Sequence, residues 1–186
     1  MIGPNAVLQL LPQIERVAGA GQVDALLAQA GIGQVPDGSA MIPEAEARRL
    51  HAMVRMTLPG AEDVLRAAGA ATGAYILAHR IPKPAQAVLR ALPAPLAARA
   101  LSRAITRHAW TFAGSGRFAA LTPWRFEIAD NPVIRGAVSP VPLCAWHAAV
   151  FQHLYAALVH PDCRCRECRC GAQPGQLACV FEISMA

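Results

Sequence analysis

The sequence predicts an α+β fold: helices first, then antiparallel strands, one long helix and a terminal hairpin. Three observations carry this. Up to about residue 108, apolar residues recur at the helical period and are punctuated by Pro and Gly. From Trp110 onward, bulky residues alternate with small or polar ones, the period of a half-buried strand. Strands and helices do not alternate as βαβ units, which argues against a parallel sheet.

Asn5 reads as the N-cap of a helix over about 6–18, with Val7, Leu10, Leu11 and Ile14 on one face and a kink at Pro12. A second helix over about 22–30 ends at Gly31. Pro43 suits the first position of a third, with Glu44 and Glu46 near its positive end and Leu50, Met53 and Val54 inward. Ala61 to Leu77 forms another, burying Val64, Leu65, Ala68 and Tyr75 or Ile76. Pro82, Pro84, Pro93 and Pro95 frame helices near 84–91 and 95–108. Strands follow at WTFAGSGRF and WRFEIA, then turns at Asp130, Asn131, Pro132 and at Arg135, Gly136. Pro140 and Pro142 open a helix with Leu143, Trp146, Val150, Phe151, Leu154 and Leu158 on one face. After a stop at His160, Pro161 and Asp162, two short strands at about 163–168 and 178–184 flank a Gly171 to Gly175 turn.

With 186 residues, the chain reads as one domain, or a domain at 61–186 preceded by a helical extension at 1–60. At 54% hydrophobic and 16% charged residues it is too apolar to be disordered. No run of eighteen apolar residues escapes a Pro, Arg, Glu or His, so no transmembrane span is expected. The start MIGPNAVLQLLPQIER lacks the basic opening and cleavage site of a secretory signal, which predicts a cytoplasmic protein. The net charge of +5 comes from scattered arginines and one lysine, Lys83, without a nucleic-acid motif, so no nucleic-acid partner is expected. Arginine does suit bidentate recognition of carboxylates.

Nine of the ten aromatic residues lie after residue 100 and five of the six cysteines after residue 160, so the second half should hold the chemistry. Closely spaced cysteines without a secretion signal read as metal ligands, and zinc suits thiolates with a carboxylate as fourth ligand. Two ligand sets are open. One is local: Cys163, Cys165, Cys168 and Cys170. The other is spread: Cys144, Glu167, Cys170 and Cys179. Strand alternation would point Cys163 and Cys165 away from Cys168 and Cys170, which weighs against the local set. In the spread set, Cys144 would sit in the first turn of a helix, where the dipole favours a thiolate, and the ion would clamp that helix to the hairpin.

The segments MIGPNAVLQLLP, AYILAHRIPKPAQ, LRALPAPLAARAL, RHAWTFAGSGRF, NPVIRG, PLCAWHAAVFQHLY and ECRCGAQPGQLACVFEI resemble the 4-vinyl reductase domain family of bacteriochlorophyll biosynthesis, nearly end to end. The resemblance implies an α+β ligand-binding fold like that of TRAPP subunits and of the sensing domains of phenol-responsive activators, one that commonly dimerises. It also implies a structural zinc held by a Cys opening a helix, a Glu, a Cys three residues later and a last Cys about eight beyond. Here Cys144 and Glu167 lie 23 apart, Cys170 follows by three and Cys179 by nine more.

The family name implies reduction of a vinyl group on a chlorophyll precursor. Hydride delivery needs a nicotinamide, flavin or ferredoxin-coupled centre. No GxGxxG follows a strand here, GSG at 114–116 reads as a bulge or close approach inside a strand, and a closed Cys3Glu zinc is redox-silent. The expectation is therefore an accessory protein that binds a Mg-porphyrin or protochlorophyllide and passes it on, with no catalytic residues assigned. Mg-chelatase or the following methyltransferase would be the recipient. Trp110, Phe112, Phe118 and Trp124, with Phe126, would form aromatic walls; Arg103 and Arg107 would meet propionates; and His108 would ligate magnesium. His79, His147 and His153 are not separable from His108 by sequence. An 8-vinyl reductase is the alternative and a small-molecule-sensing domain the third reading, although 186 residues leave no room for a regulator's output domain.

Overall fold

The computed structural model describes residues 1–185. Its helices are α1 (Asn5–Leu8), α2 (Leu11–Ala18), α3 (Ala20–Gln29), α4 (Glu44–Thr57), α5 (Ala61–His79), α6 (Lys83–Ala91), α7 (Ala94–Arg107), α8 (Trp110–Ala113) and α9 (Ala145–Leu158). Its strands are β1 (Arg117–Thr122), β2 (Arg125–Ala129), β3 (Cys163–Arg169) and β4 (Ala178–Met185). The four strands form one antiparallel sheet in the order β1-β2-β4-β3. This is an α+β architecture.

The helix α9 is the centre of the molecule. Trp146, His147, Val150, Phe151, Leu154, Tyr155 and Leu158 are all buried, because one side faces the sheet and the other faces α5. Against the sheet, Phe151 meets Phe126 and Phe181 with ring centroids 5.1 and 5.3 Å apart. Against α5, the two helix backbones approach closely: a Cβ on Gly69 would overlap the Trp146 carbonyl oxygen. Gly69 and Gly73, one turn apart, open the notch that admits α9.

One buried apolar cluster runs from Ile2 to Ile183, so the first four helices pack on the rest. Ile2 pairs its backbone with Ile42. Glu44, at the start of α4, accepts hydrogen bonds from the Ser115 amide and hydroxyl at 3.0 and 2.7 Å and from Arg135 at 2.9 Å. No helix among the described residues is long and apolar enough to cross a membrane.

Four local expectations are corrected. The first helix is two, α1 and α2, because Pro12 sits in the first turn of α2, where its missing N–H costs nothing. Asn5 is not a cap; it lies inside α1 after Pro4, and its side chain accepts from Gln9. Trp110 to Ala113 is a helical turn, not a strand, because the amides of Thr111, Phe112 and Ala113 bond back to His108 and Ala109 carbonyls. The strand begins at Arg117, and the GSG segment is a turn of close backbone approach: a Cβ on Gly116 would lie 2.9 Å from the Ala129 carbonyl oxygen. Finally, α9 starts at Ala145, because Pro140 and Pro142 hold their preceding residues out of helical geometry.

Candidate metal centre and the aromatic core beside it

Cys144, Glu167, Cys170 and Cys179 come together, with one ligand atom from each within 4.8 Å of all the others. Cys144 is the N-cap of α9, Glu167 is near the end of β3, Cys170 follows that strand and Cys179 is near the start of β4. The Cys144 and Cys179 sulfurs are 3.4 Å apart, near the roughly 3.8 Å expected between thiolates on a tetrahedral zinc. All three cysteines are buried. The Cys144 amide donates to Glu167 Oε2 at 2.7 Å, whereas Oε1 is buried and has no hydrogen-bond partner among the described residues. An orphaned carboxylate oxygen facing three sulfurs is the arrangement an ion completes, and this cluster could hold a metal.

The electrostatics agree. Burial pushes the Glu167 carboxyl up to about 8 and the Cys144 thiol well above its usual range. Thiol hydrogen bonds from Cys144 and Cys179 draw negative charge onto Cys170, down to about 2. Asn131 Nδ2 donates to Cys144 Sγ at 3.4 Å and to Cys179 Sγ at 3.6 Å, and the Gly171 amide donates to Cys179 Sγ at 3.4 Å. Such donors favour thiolates.

The local set is not assembled. A register shift between Glu167 and Arg169 breaks strand alternation, leaves Cys168 exposed and turns Cys170 inward. Cys163 and Cys165 do point inward, on the same side as Glu167, which corrects the alternation expected for Cys170. At about 3.3 Å per residue, however, Cys163 lies about 20 Å along the strand from Cys170.

The expected ligand pocket divides in two. Arg103, Arg107 and His108 are exposed, and the His108 ring bonds its own helix at the Ala104 carbonyl. Trp110 is 56% exposed and Trp124 packs on Tyr155. Phe112 and Phe118 instead join the core, meeting each other at 5.2 Å and Phe151 at 5.6 and 6.2 Å. Two surface cavities, of about 190 and 390 Å³, are lined by none of these residues.

Sequence reasoning could not rank His147, and the structure does. It is 1% exposed, one turn beyond Cys144, among Trp146, Phe112, Phe151 and Phe181. Burial pushes it down to about 4, so it is neutral at neutral pH. Its Nε2 lies 3.4 Å from the Phe112 carbonyl oxygen, and its Nδ1 has no partner among the described residues. Asn131 was legible only as a turn residue; its role at the sulfurs comes from packing alone.

Residues 124–185 match the 4-vinyl reductase domain model. The chain is 51% identical over 185 residues to the bacteriochlorophyll synthase 23 kDa chain of Cereibacter sphaeroides, covering 98% of this chain and 89% of that one. It is 44% identical to the chain of the same description from Rhodobacter capsulatus, with 98% and 86% covered. The chain belongs to the bacteriochlorophyll synthase 23 kDa chain family. Solved structures of similar fold are H-NOX proteins. One, from S. oneidensis in the Fe(II)NO ligation state, has a TM-score of 0.59 at 13% identity, with 100% of this chain and 99% of that one covered. Another, solved to probe the function of heme distortion, has a TM-score of 0.57 at 13% identity, with 99% and 95% covered. At such identity the likeness is one of fold. The domain match contains Cys144, His147, Glu167, Cys170 and Cys179, so the metal cluster and the buried histidine beside it fall within this family's shared domain.

Proposed function

We propose that this protein binds a Mg-porphyrin or protochlorophyllide intermediate of bacteriochlorophyll synthesis and passes it on unreduced. The observation that carries the reading is His147, a neutral, buried imidazole with an unpartnered Nδ1, set among aromatic rings. A ring nitrogen of that kind is an axial ligand for magnesium, and Phe112, Phe118 and Phe151 are walls for a flat macrocycle. The pigment enters by displacing α8, the short segment that covers His147 and ends at Gly114 and Gly116. Exposed Arg103, Arg107, His108 and Trp110 then flank the opening and meet the pigment's carboxylates, with Trp124 further along the same side. Membership in a bacteriochlorophyll synthase family supports this ligand class, as does a fold that holds heme in the H-NOX proteins.

The ion at Cys144, Glu167, Cys170 and Cys179 is zinc in this reading, because three thiolates and a carboxylate suit it and exclude harder cations. It clamps α9 to the terminal hairpin and supplies no redox chemistry. Residues 61–186 are the TRAPP-like ligand-binding domain and 1–60 its helical extension. The protein acts in the cytoplasm as a homodimer, and Mg-chelatase or the following methyltransferase receives the pigment.

Absorption spectra of the purified protein with divinyl and monovinyl Mg-porphyrins, with and without NADPH, test this. A stoichiometric red-shifted complex, weakened in His147→Phe, is the expected result. Multi-turnover loss of the vinyl band would establish instead the 8-vinyl reductase that the 4-vinyl reductase resemblance favours.

A further inference from the structure

Arg55 lies in the last turn of α4, 89 residues before the first proposed metal ligand, and its side chain is drawn into the protein. Its Nη2 donates to the Val133 carbonyl at 3.4 Å, while its Nη1 is buried without a hydrogen-bond partner among the described residues. A guanidinium removed from water without a partner is costly unless negative charge lies close by. Burial lowers its pKa, and the charges that oppose burial are those of Cys144, Cys170 and Glu167. The Val133 amide, in turn, donates to Asn131 Oδ1 at 3.1 Å, and Asn131 Nδ2 donates to the Cys144 and Cys179 sulfurs. A continuous polar path thus joins α4 to two of the three thiols.

Three thiolates and one carboxylate around a divalent ion leave an excess of two negative charges in a buried site. Neutral donors such as Asn131 and the Gly171 amide spread that charge without cancelling it. We infer that Arg55 is the outer counter-charge of the metal centre, supplied by the N-terminal helices to a site whose ligands all lie beyond residue 143. The inference rests on the metal reading above. It makes ion binding and the docking of α4 mutually dependent: the loaded site holds the arginine, and the arginine holds the site in its deprotonated, loaded form.

Zinc affinity of the full chain, measured by competition with a chromophoric chelator across pH, tests it alongside Arg55→Met and Arg55→Lys. Arg55→Met is expected to lose about tenfold to a hundredfold in affinity. The pH at which half the ion is released should rise, while Arg55→Lys, which keeps the charge, should retain most of the affinity. Hydrogen exchange on the wild-type chain adds a reading that needs no variant, since zinc removal should speed exchange in residues 44–57. Equal affinity and pH profile in Arg55→Met, with only a lower melting temperature, would reduce Arg55 to a packing residue and overturn the inference while leaving the metal centre standing. Unchanged exchange in α4 on zinc removal would overturn it too, even if Arg55→Met failed to fold. A wild-type chain that takes up no zinc would overturn the metal reading itself.

Discussion

The backbone amide of Cys144 donates to the Glu167 carboxylate at 2.7 Å, joining the start of α9 to the end of β3 across 23 residues. That bond occupies one carboxylate oxygen and aims the other at three sulfurs. It also places the carboxylate at a helix N-terminus, where the dipole favours negative charge.

Purified protein is expected to carry one zinc per chain, measured by elemental analysis. Cys170→Ser and Cys179→Ser should lose it. Glu167→Gln, which keeps the amide contact but not the charge, should bind it about tenfold to a hundredfold more weakly. Because bound thiolates are deprotonated, uptake should release protons and affinity should fall as the pH falls. Chelation should lower the melting temperature and expose the β3–β4 hairpin to proteolysis.

Gly69→Ala should cost about 3 kcal/mol, since the added methyl would overlap the Trp146 carbonyl and neither helix backbone can yield cheaply. Urea denaturation measures this. A cost below about 0.5 kcal/mol would mean that the α5–α9 contact is looser than described.

Glu44 should give the fold an acid-sensitive element. Burial alone would raise its carboxyl, but hydrogen bonds from Ser115 and Arg135 hold it down at about 2. A carboxyl depressed below its unfolded value near 4.3 stabilises the fold above that pH and loses its contribution as the pH falls toward 2. Glu44→Gln should therefore lower the melting temperature at pH 7 and flatten its dependence between about pH 2 and 4.5.

His147→Phe should separate stability from binding. It removes a buried orphan nitrogen, which should stabilise the pigment-free protein by about 1 kcal/mol, yet it deletes the proposed axial ligand. Thermal melts and pigment titrations on one sample check both. A destabilised variant that binds pigment normally would assign His147 to packing.

The prolines and glycines made most helix limits legible: Pro43, Pro82 and Pro93 precede α4, α6 and α7, and the terminal strands lie where alternation put them. Alternation misled at Trp110, where two aromatic residues spaced by one also fit a short helical turn closed by local hydrogen bonds. The ligand spacing was visible because a helix cap and a hairpin constrain residues that are close in sequence.

Sequence by itself determined the α+β class, the helical first half and the candidacy of Cys144, Glu167, Cys170 and Cys179. Those follow from local periodicity and from residue chemistry. Only tertiary structure decided that Cys168 turns outward at a bulge, that His147 is buried among aromatic rings while His108 stays on the surface, and that Arg55 reaches toward the sulfurs. Burial and charge proximity are set by which elements pack together, and residues 89 positions apart carry no local signal that they will meet.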